Sequence, residues 1–409
     1  MIEKSPFGLS SLAASAAMQP QEAMLEVRKK EKQLFIGIPK ETSFQESRIP
    51  LIPESISLLV NNGHEIIIEA GAGAASNIQD SDFSEAGARI VYTAEEVYNA
   101  DIILKVAPPS QQELVLVKPK QYLISILQMS MQNADFIRHL SSKKVTAIGY
   151  EFIHEESGVY PIIQAMSEIV GSTCILIAAE YLSNAFNGKG ELLGGVAGIP
   201  PTEVVIIGAG SVGEYAARAA MGLGANIKVF DNSVHRLRRL QTRLGRRVFT
   251  STIVPNILLK ELKNADVAIG ALRSNEGRTP VVVTEEMVSE MRVGSVIVDV
   301  SIDQGGCFET SEVTNHSQPV FRKYGVVHYC VPNIASRVSR TASTALSNIF
   351  TPILIDAGNE GGIDEILWKN KAVRKGVYMF RGAITNRFVA ESCKLPFKDL
   401  DLLTAARIS

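Results

Sequence analysis

Val204 to Asp231 reads VVIIGAGSVGEYAARAAMGLGANIKVFD, and this stretch decides the fold. Val204 to Ile207 is a run of β-branched residues, the pattern of a strand buried on both faces. Gly208, Gly210 and Gly213 follow as G-A-G-S-V-G, and Glu214 to Gly222 reads as a small-residue helix. A second apolar run, Ile227 to Phe230, ends in Asp231, roughly 20 residues past the glycines, where a dinucleotide-binding unit places its ribose acid. The first glycine allows a tight turn, the second lets backbone approach a pyrophosphate, and the third lets helix pack on strand. The phosphates then sit at the positive end of the helix. A carboxylate at Asp231 accepts hydrogen bonds from a free 2′-hydroxyl and repels a 2′-phosphate, which favours NAD over NADP.

Outward from that unit, the chain alternates strands and helices. Leu34–Ile38, Glu65–Glu69, Asp101–Val106, Tyr122–Leu127 and Thr146–Tyr150 read as strands, with helical patterns between them. Ile162 to Asn187 is one long helical run, and Asp266–Gly270 and Ser295–Val300 continue the second set of strands. Ala342 to Gly358 is helical and apolar enough to lead the chain back to the first unit. The expected fold is α/β, with two Rossmann-like doubly wound domains, the NAD-binding one inserted into the other. The boundaries are residues 34–161 with 340–409 for the first domain, 162–339 for the second, and 1–33 as an N-terminal arm. Within the arm, Gln21–Lys32 reads as a charged helix.

Composition narrows the class. The 409 residues are 46% hydrophobic and 21% charged, with a formal net charge of −2, values of a soluble globular protein with a substantial core. Neither nucleic acid nor an anionic membrane is suggested as a partner. The four cysteines, Cys174, Cys307, Cys330 and Cys393, have no metal-binding spacing and read as reduced, buried thiols of a cytoplasmic protein. The sequence shows no apolar run of membrane-spanning length and no secretory signal.

Open parallel sheets bind ligands beyond the carboxyl ends of their strands, and Lys105, Gln128, Glu151, Asp231 and Asp303 all fall there. Lys105 is either an edge lysine reaching solvent or a cation for a substrate carboxylate or carbonyl. Arg48 is either a surface residue or a bidentate carboxylate clamp. Asp303, before Gln304-Gly305-Gly306, is either turn chemistry or a proton acceptor. The six histidines read as loop, helix or surface positions.

The stretches IGIPKETSFQESRIPLIP, GHEIIIEAGAG, ADIILKV, MSEIVG, VVIIGAGSVG and VDVSIDQGGCFE together resemble the alanine dehydrogenase and nicotinamide nucleotide transhydrogenase family, from Leu34 to the C-terminus. HYCVPNI and SRTASTALSNIFTP look closer to its alanine dehydrogenases. The resemblance implies NAD-dependent oxidation of L-alanine to pyruvate and ammonia, in a homo-oligomer, usually a hexamer. It implies Arg48 and Lys105 as substrate contacts and Asp303 as the catalytic acid. Ser167, Gly208, Ala209, Gly210, Ser211, Val212 and Gly213 would touch the cofactor, with Asp231 and Arg236 around the adenosine ribose. Leu272, Ile302, Asp303, Val331, Asn333 and Ile334 would border the nicotinamide. The family's catalytic histidine is replaced by Gln128, since L-H-L-A-A becomes L-Q-M-S-M. A glutamine amide donates a hydrogen bond but does not change protonation near neutrality. Transhydrogenases carry Gln-Asn a few residues on, as Gln132-Asn133 does here. A transhydrogenase-like domain and a non-catalytic NAD-binding protein therefore stand as alternatives.

Overall fold

A computed structural model describes residues 31–129, 132–274 and 277–405. The arm's helix, expected over 21–32, lies almost wholly outside the described residues. Two sheets organise the chain. The first holds β1 (Phe35–Ile38), β2 (Glu65–Glu69), β3 (Arg89–Val91), β4 (Ile102–Leu104), β5 (Tyr122–Ser125) and β6 (Thr146–Gly149). The second holds β7 (Glu203–Ile207), β8 (Asn226–Phe230), β9 (Phe249–Ser251), β10 (Val267–Gly270), β11 (Val296–Asp299), β12 (Val320–Lys323) and β13 (Val326–Tyr329). The chain then returns, and β14 (Val377–Phe380) and β15 (Ala383–Ile384) complete the first sheet.

The orders are β15-β14-β6-β5-β4-β1-β2-β3 and β12-β13-β11-β10-β7-β8-β9. Pairing is parallel throughout except at one edge of each sheet, where β14 and β15, and β12, run antiparallel. In each sheet the order reverses at the first strand. β1 lies between β2 and β4, with Ile36 opposite Ile66 and Ile102. β7 lies between β8 and β10, with Ile206 opposite Val229 and Ile269. Such reversals open a crevice where the flanking helices diverge. Strand interiors such as Val204–Ile207 and Val296–Val298 are fully buried, as parallel strands covered on both faces must be.

Two 22-residue helices join the sheets: α1 (Pro161–Leu182) and, after α2 (Ser211–Gly222) in the second sheet's layer, α3 (Ser339–Glu360). Contrary to the sequence expectation, α1 is long and apolar enough to cross a membrane by length and composition. One side of it packs into protein, while Leu176 stays exposed. Ile162 belongs to the first core, and Cys174, Ile175, Ile177, Ala178 and Leu182 belong to the second. Small residues bring α1 close to α2, because a Cβ on Gly171 would stand 2.4 Å from the Val212 carbonyl oxygen. Three hydroxyls along α3 and the turn before it hold the loop after β1. Ser336, Ser343 and Ser347 accept the backbone N–H groups of Ser47, Ile49 and Ile52 at 2.7, 2.9 and 3.1 Å. At about 1 kcal/mol each, these bonds fix the segment that carries Arg48.

Candidate active site

The glycine loop follows from sterics. Gly208 has φ +118°, and a Cβ there would meet the Ala271 carbonyl oxygen at 2.3 Å, across the gap between β7 and β10. A Cβ on Gly213 would stand 1.9 Å from the Gly208 oxygen. These two glycines are demanded by the protein's own packing. Gly210, the N-cap of α2, faces open space with no heavy atom within 4 Å of its would-be Cβ. That open space leaves room for close ligand approach, which fits a pyrophosphate at the start of α2. Ser211 and Val212 form the first turn of α2. Ser167 lies one turn before Gly171 on the same face of α1, its hydroxyl donating to Ile163 O at 2.7 Å.

Asp231 follows β8 directly and is buried. Its Oδ2 accepts the Ala209 N–H at 2.8 Å and its Oδ1 the Ser233 N–H at 2.7 Å, while Arg236 stands 3.9 Å away. The acid thus braces the glycine loop and keeps lone pairs for further donors. Beyond β10 and β11, the Ser301 hydroxyl donates to Leu272 O at 2.9 Å. Ile302, Val331 and Ile334 are buried beside them.

The substrate side is built from charge. Arg48 donates Nε to Glu46 Oε1 at 2.7 Å and Nη2 to Glu46 Oε2 at 2.6 Å, with Nη1 3.4 Å from Met166 Sδ. Burial works to raise the Glu46 carboxyl, but the Arg48 bonds and charge prevail and hold it below the usual carboxylate range. Arg48 is no surface residue; its side chain is 11% exposed. Asn333, left-handed at φ 57°, bridges the two sheets: its Nδ2 donates to Glu46 Oε2 at 3.1 Å and its N–H to Asp303 Oδ1 at 3.1 Å. Asp303 opens to solvent yet is ringed by protein. Desolvation raises its carboxyl, and the Asn333 N–H and the Arg48 charge only partly oppose that.

Lys105 corrects the solvent-lysine alternative. It is fully buried, with Nζ 2.5 Å from Glu113 Oε1 and 3.4 Å from Glu41 Oε2. Glu113 is fixed by a capping box with Ser110, and Glu41 accepts the Val106 N–H at 2.6 Å. Burial pushes the Glu41 carboxyl up to about 7 against the pull of Lys105. Gln128 is exposed and left-handed, φ 49°; its N–H and that of Leu127 donate to Glu151 Oε1.

Several residues escaped the sequence reading. Glu41 and Glu46 mark the site by their charge in the loop after β1, and Glu113 by its place in the first turn of the helix Gln111–Leu116. Ser336, Ser343 and Ser347 are spaced by seven and four, a helix-face signal. The histidine reading fails at His328, which is buried inside β13, with Nε2 2.8 Å from Thr310 Oγ1; burial lowers it to about 4. His64 is buried too, its Nδ1 accepting the Leu34 N–H. Asn133, half of the transhydrogenase-like pair, caps the helix Ala134–Ser142 by accepting the Phe136 N–H. That helix start accounts for it. All four cysteines are free and buried.

Comparison with known proteins bears on the same elements. Residues 37–170 match the family model described as alanine dehydrogenase/PNT, N-terminal domain, and residues 174–387 its C-terminal domain counterpart. An alanine dehydrogenase of Methanococcus maripaludis is 39% identical over 366 residues, covering 89% of this chain and 98% of that enzyme. A solved L-alanine dehydrogenase superposes with a TM-score of 0.81 at 36% identity, over 87% of this chain and 98% of that one. A transhydrogenase structure from Sinorhizobium meliloti, 24% identical over 86% of this chain and 99% of that one, shares the fold with a TM-score of 0.72.

Proposed function

The chain belongs to the alanine dehydrogenase/PNT family, and on that premise we propose that it catalyses NAD-dependent, reversible oxidative deamination of L-alanine to pyruvate and ammonia. The observation that carries this reading is the chain of contacts Arg48–Glu46–Asn333–Asp303. On this reading the chain of contacts links a carboxylate clamp to a proton-exchanging acid.

Each group has a role its chemistry permits. Glu46 and Met166 engage three of the five N–H bonds of Arg48, leaving two for the substrate carboxylate. Lys105 has a third N–H beyond those facing Glu113 and Glu41, and it polarises the carbonyl oxygen. Gln128 donates its amide to the same oxygen or to a carbinolamine hydroxyl. Asp303, with its carboxyl raised by desolvation, holds and releases the proton that amine chemistry requires. When bound, NAD accepts hydride from the substrate Cα at nicotinamide C4. Gly208 to Gly213 and Ser167 would hold its phosphates, Asp231 and Arg236 its ribose, and Leu272, Ile302, Val331, Asn333 and Ile334 its nicotinamide end.

The same reading divides the chain into a substrate domain, residues 34–161 with 340–409, an NAD domain, residues 162–339, and the arm before them. It makes the enzyme cytoplasmic and homo-oligomeric. The test is NADH oxidation with pyruvate, with and without ammonium, on the protein and on Gln128→His. Ammonium-dependent turnover in the parent supports the reading. Turnover with pyruvate alone makes the protein a keto-acid reductase, and activity gained only with Gln128→His moves its substrate away from alanine.

A further inference from the structure

Glu151 has one satisfied carboxylate oxygen and one orphan. Oε1 accepts the Leu127 N–H at 2.8 Å and the Gln128 N–H at 3.2 Å, whereas Oε2 is buried without any hydrogen-bond partner among the described residues. Buried polar atoms are almost always paired, and an exception asks for a reason. Asp299, the last residue of β11, shows what a structural carboxylate looks like in this protein. Its two oxygens accept from Ser301, Cys307 and Phe308 backbone and from the Ser311 hydroxyl.

The residues that Glu151 holds are those of the substrate loop. Leu127 is fully buried and anchors the turn. Gln128 adopts a left-handed conformation that costs a non-glycine residue about 1 kcal/mol or more and persists where surroundings enforce it. We propose that Glu151 is the positioning residue of this loop: its carboxyl imposes the Gln128 turn, aims the glutamine amide at the substrate oxygen, and makes that geometry respond to pH. The inference rests on the alanine dehydrogenase reading, because that reading is what puts the Gln128 amide at the substrate oxygen.

The surroundings fit. Among the described residues no lysine or arginine pairs with Glu151; what faces it is Tyr150, whose hydroxyl donates to Val106 O at 2.7 Å, and Tyr378 on β14, whose hydroxyl is likewise buried without a partner. Gly149 leaves the orphan its room, since a Cβ there would stand 2.9 Å from Oε2. Burial pushes the carboxyl up to about 7, against the backbone N–H groups of Glu151, Leu127 and Gln128. Above that value the ionised oxygen accepts two charge-assisted bonds and the turn is firm; below it the neutral carboxyl accepts weakly.

Glu151→Gln tests this, because an amide oxygen can accept the same two N–H bonds but cannot ionise. The parent's kcat/KM for pyruvate with ammonium is expected to rise through a limb centred near pH 7. Glu151→Gln is expected to lack that limb, with up to about a 10²-fold deficit on its alkaline side and an unchanged KM for NADH. Infrared difference spectra of the ligand-free protein read the group directly: a protonated-carboxyl band that fades as pH rises through the same range, absent from Glu151→Gln and retained, with a displaced midpoint, in Glu151→Asp. Superimposable pH profiles of parent and Glu151→Gln, or a Glu151 band that does not titrate there, overturn the proposal. Absence of ammonium-dependent turnover at every pH contradicts the alanine dehydrogenase reading instead, and the infrared titration still decides whether Glu151 ionises against this loop.

Discussion

Each sheet opens a crevice where its strand order reverses, but the two crevices are made of different material. Between β7 and β10 the construction is backbone. Gly208 and Gly213 are fixed by contacts at which any Cβ would collide, and the buried acid Asp231 is bonded to the Ala209 and Ser233 N–H groups. Between β1 and β4, and along β5 and β6, it is side-chain charge. Lys105 lies between two carboxylates, Arg48 is forked onto Glu46, and the Glu41 and Glu151 carboxyls are both pushed up to about 7 by burial. A shape-determined site fails when its shape is changed and is indifferent to pH. A charge-determined site tolerates small changes of shape and responds to pH and to loss of a proton or of a fork.

The contrast is broken most severely by Gly213→Ala. A methyl 1.9 Å from the Gly208 oxygen forces α2 off its strand, at a cost of several kcal/mol. NADH fluorescence titration and thermal melting should show binding weakened by more than about 10³-fold or folding lost. Gly210→Ala, which meets no protein atom, should weaken NADH while leaving the melting temperature in place. Across the cleft from that charge, after β11, Asp303→Asn keeps the Asn333 bond but removes the proton, so kcat should drop about 10²–10⁴-fold with NADH affinity preserved. Arg48→Lys replaces a planar fork by a point charge. Steady-state kinetics should show the KM for pyruvate rising about 10–10²-fold, the loss of one bidentate contact. The smallest effect is on stability. A carboxyl raised from 4.5 to about 7 on folding adds stability below its unfolded value and loses it as pH rises through the folded one. Relative to the parent, Glu151→Gln should therefore gain stability across that window, by about 1–2 kcal/mol, read as a melting-temperature difference that grows with pH.

How much of this was legible follows the same division. Glycine sterics, apolar strands and a following acid are local, so Val204–Asp231 could be read from spacing. The return of the chain through Ala342–Gly358 could be read from the apolar content of α3. The charged crevice depends on how loops and helices turn side chains towards one another, within a few residues for Arg48 and Glu46 and across the chain for Lys105 and Glu41. Whether Lys105 reaches solvent or two carboxylates depends on Glu41 and Glu113, and whether Arg48 is a surface residue depends on Glu46 and on hydroxyls nearly 300 residues away in α3 and the turn before it. His328 was misplaced because a histidine among Val326, Val327 and Tyr329 carries no signal of the Thr310 hydroxyl that satisfies it. The orphan oxygen of Glu151 is a property of packing alone.

The central claim is that hydride leaves the Cα of alanine in this cleft. It is tested most directly by incubating the protein with NAD and L-alanine deuterated at Cα and weighing the NADH formed. The account predicts NADH carrying one deuterium, with pyruvate and ammonia in equal amount. Failure of L-alanine to reduce NAD, or NADH without the label, would contradict it.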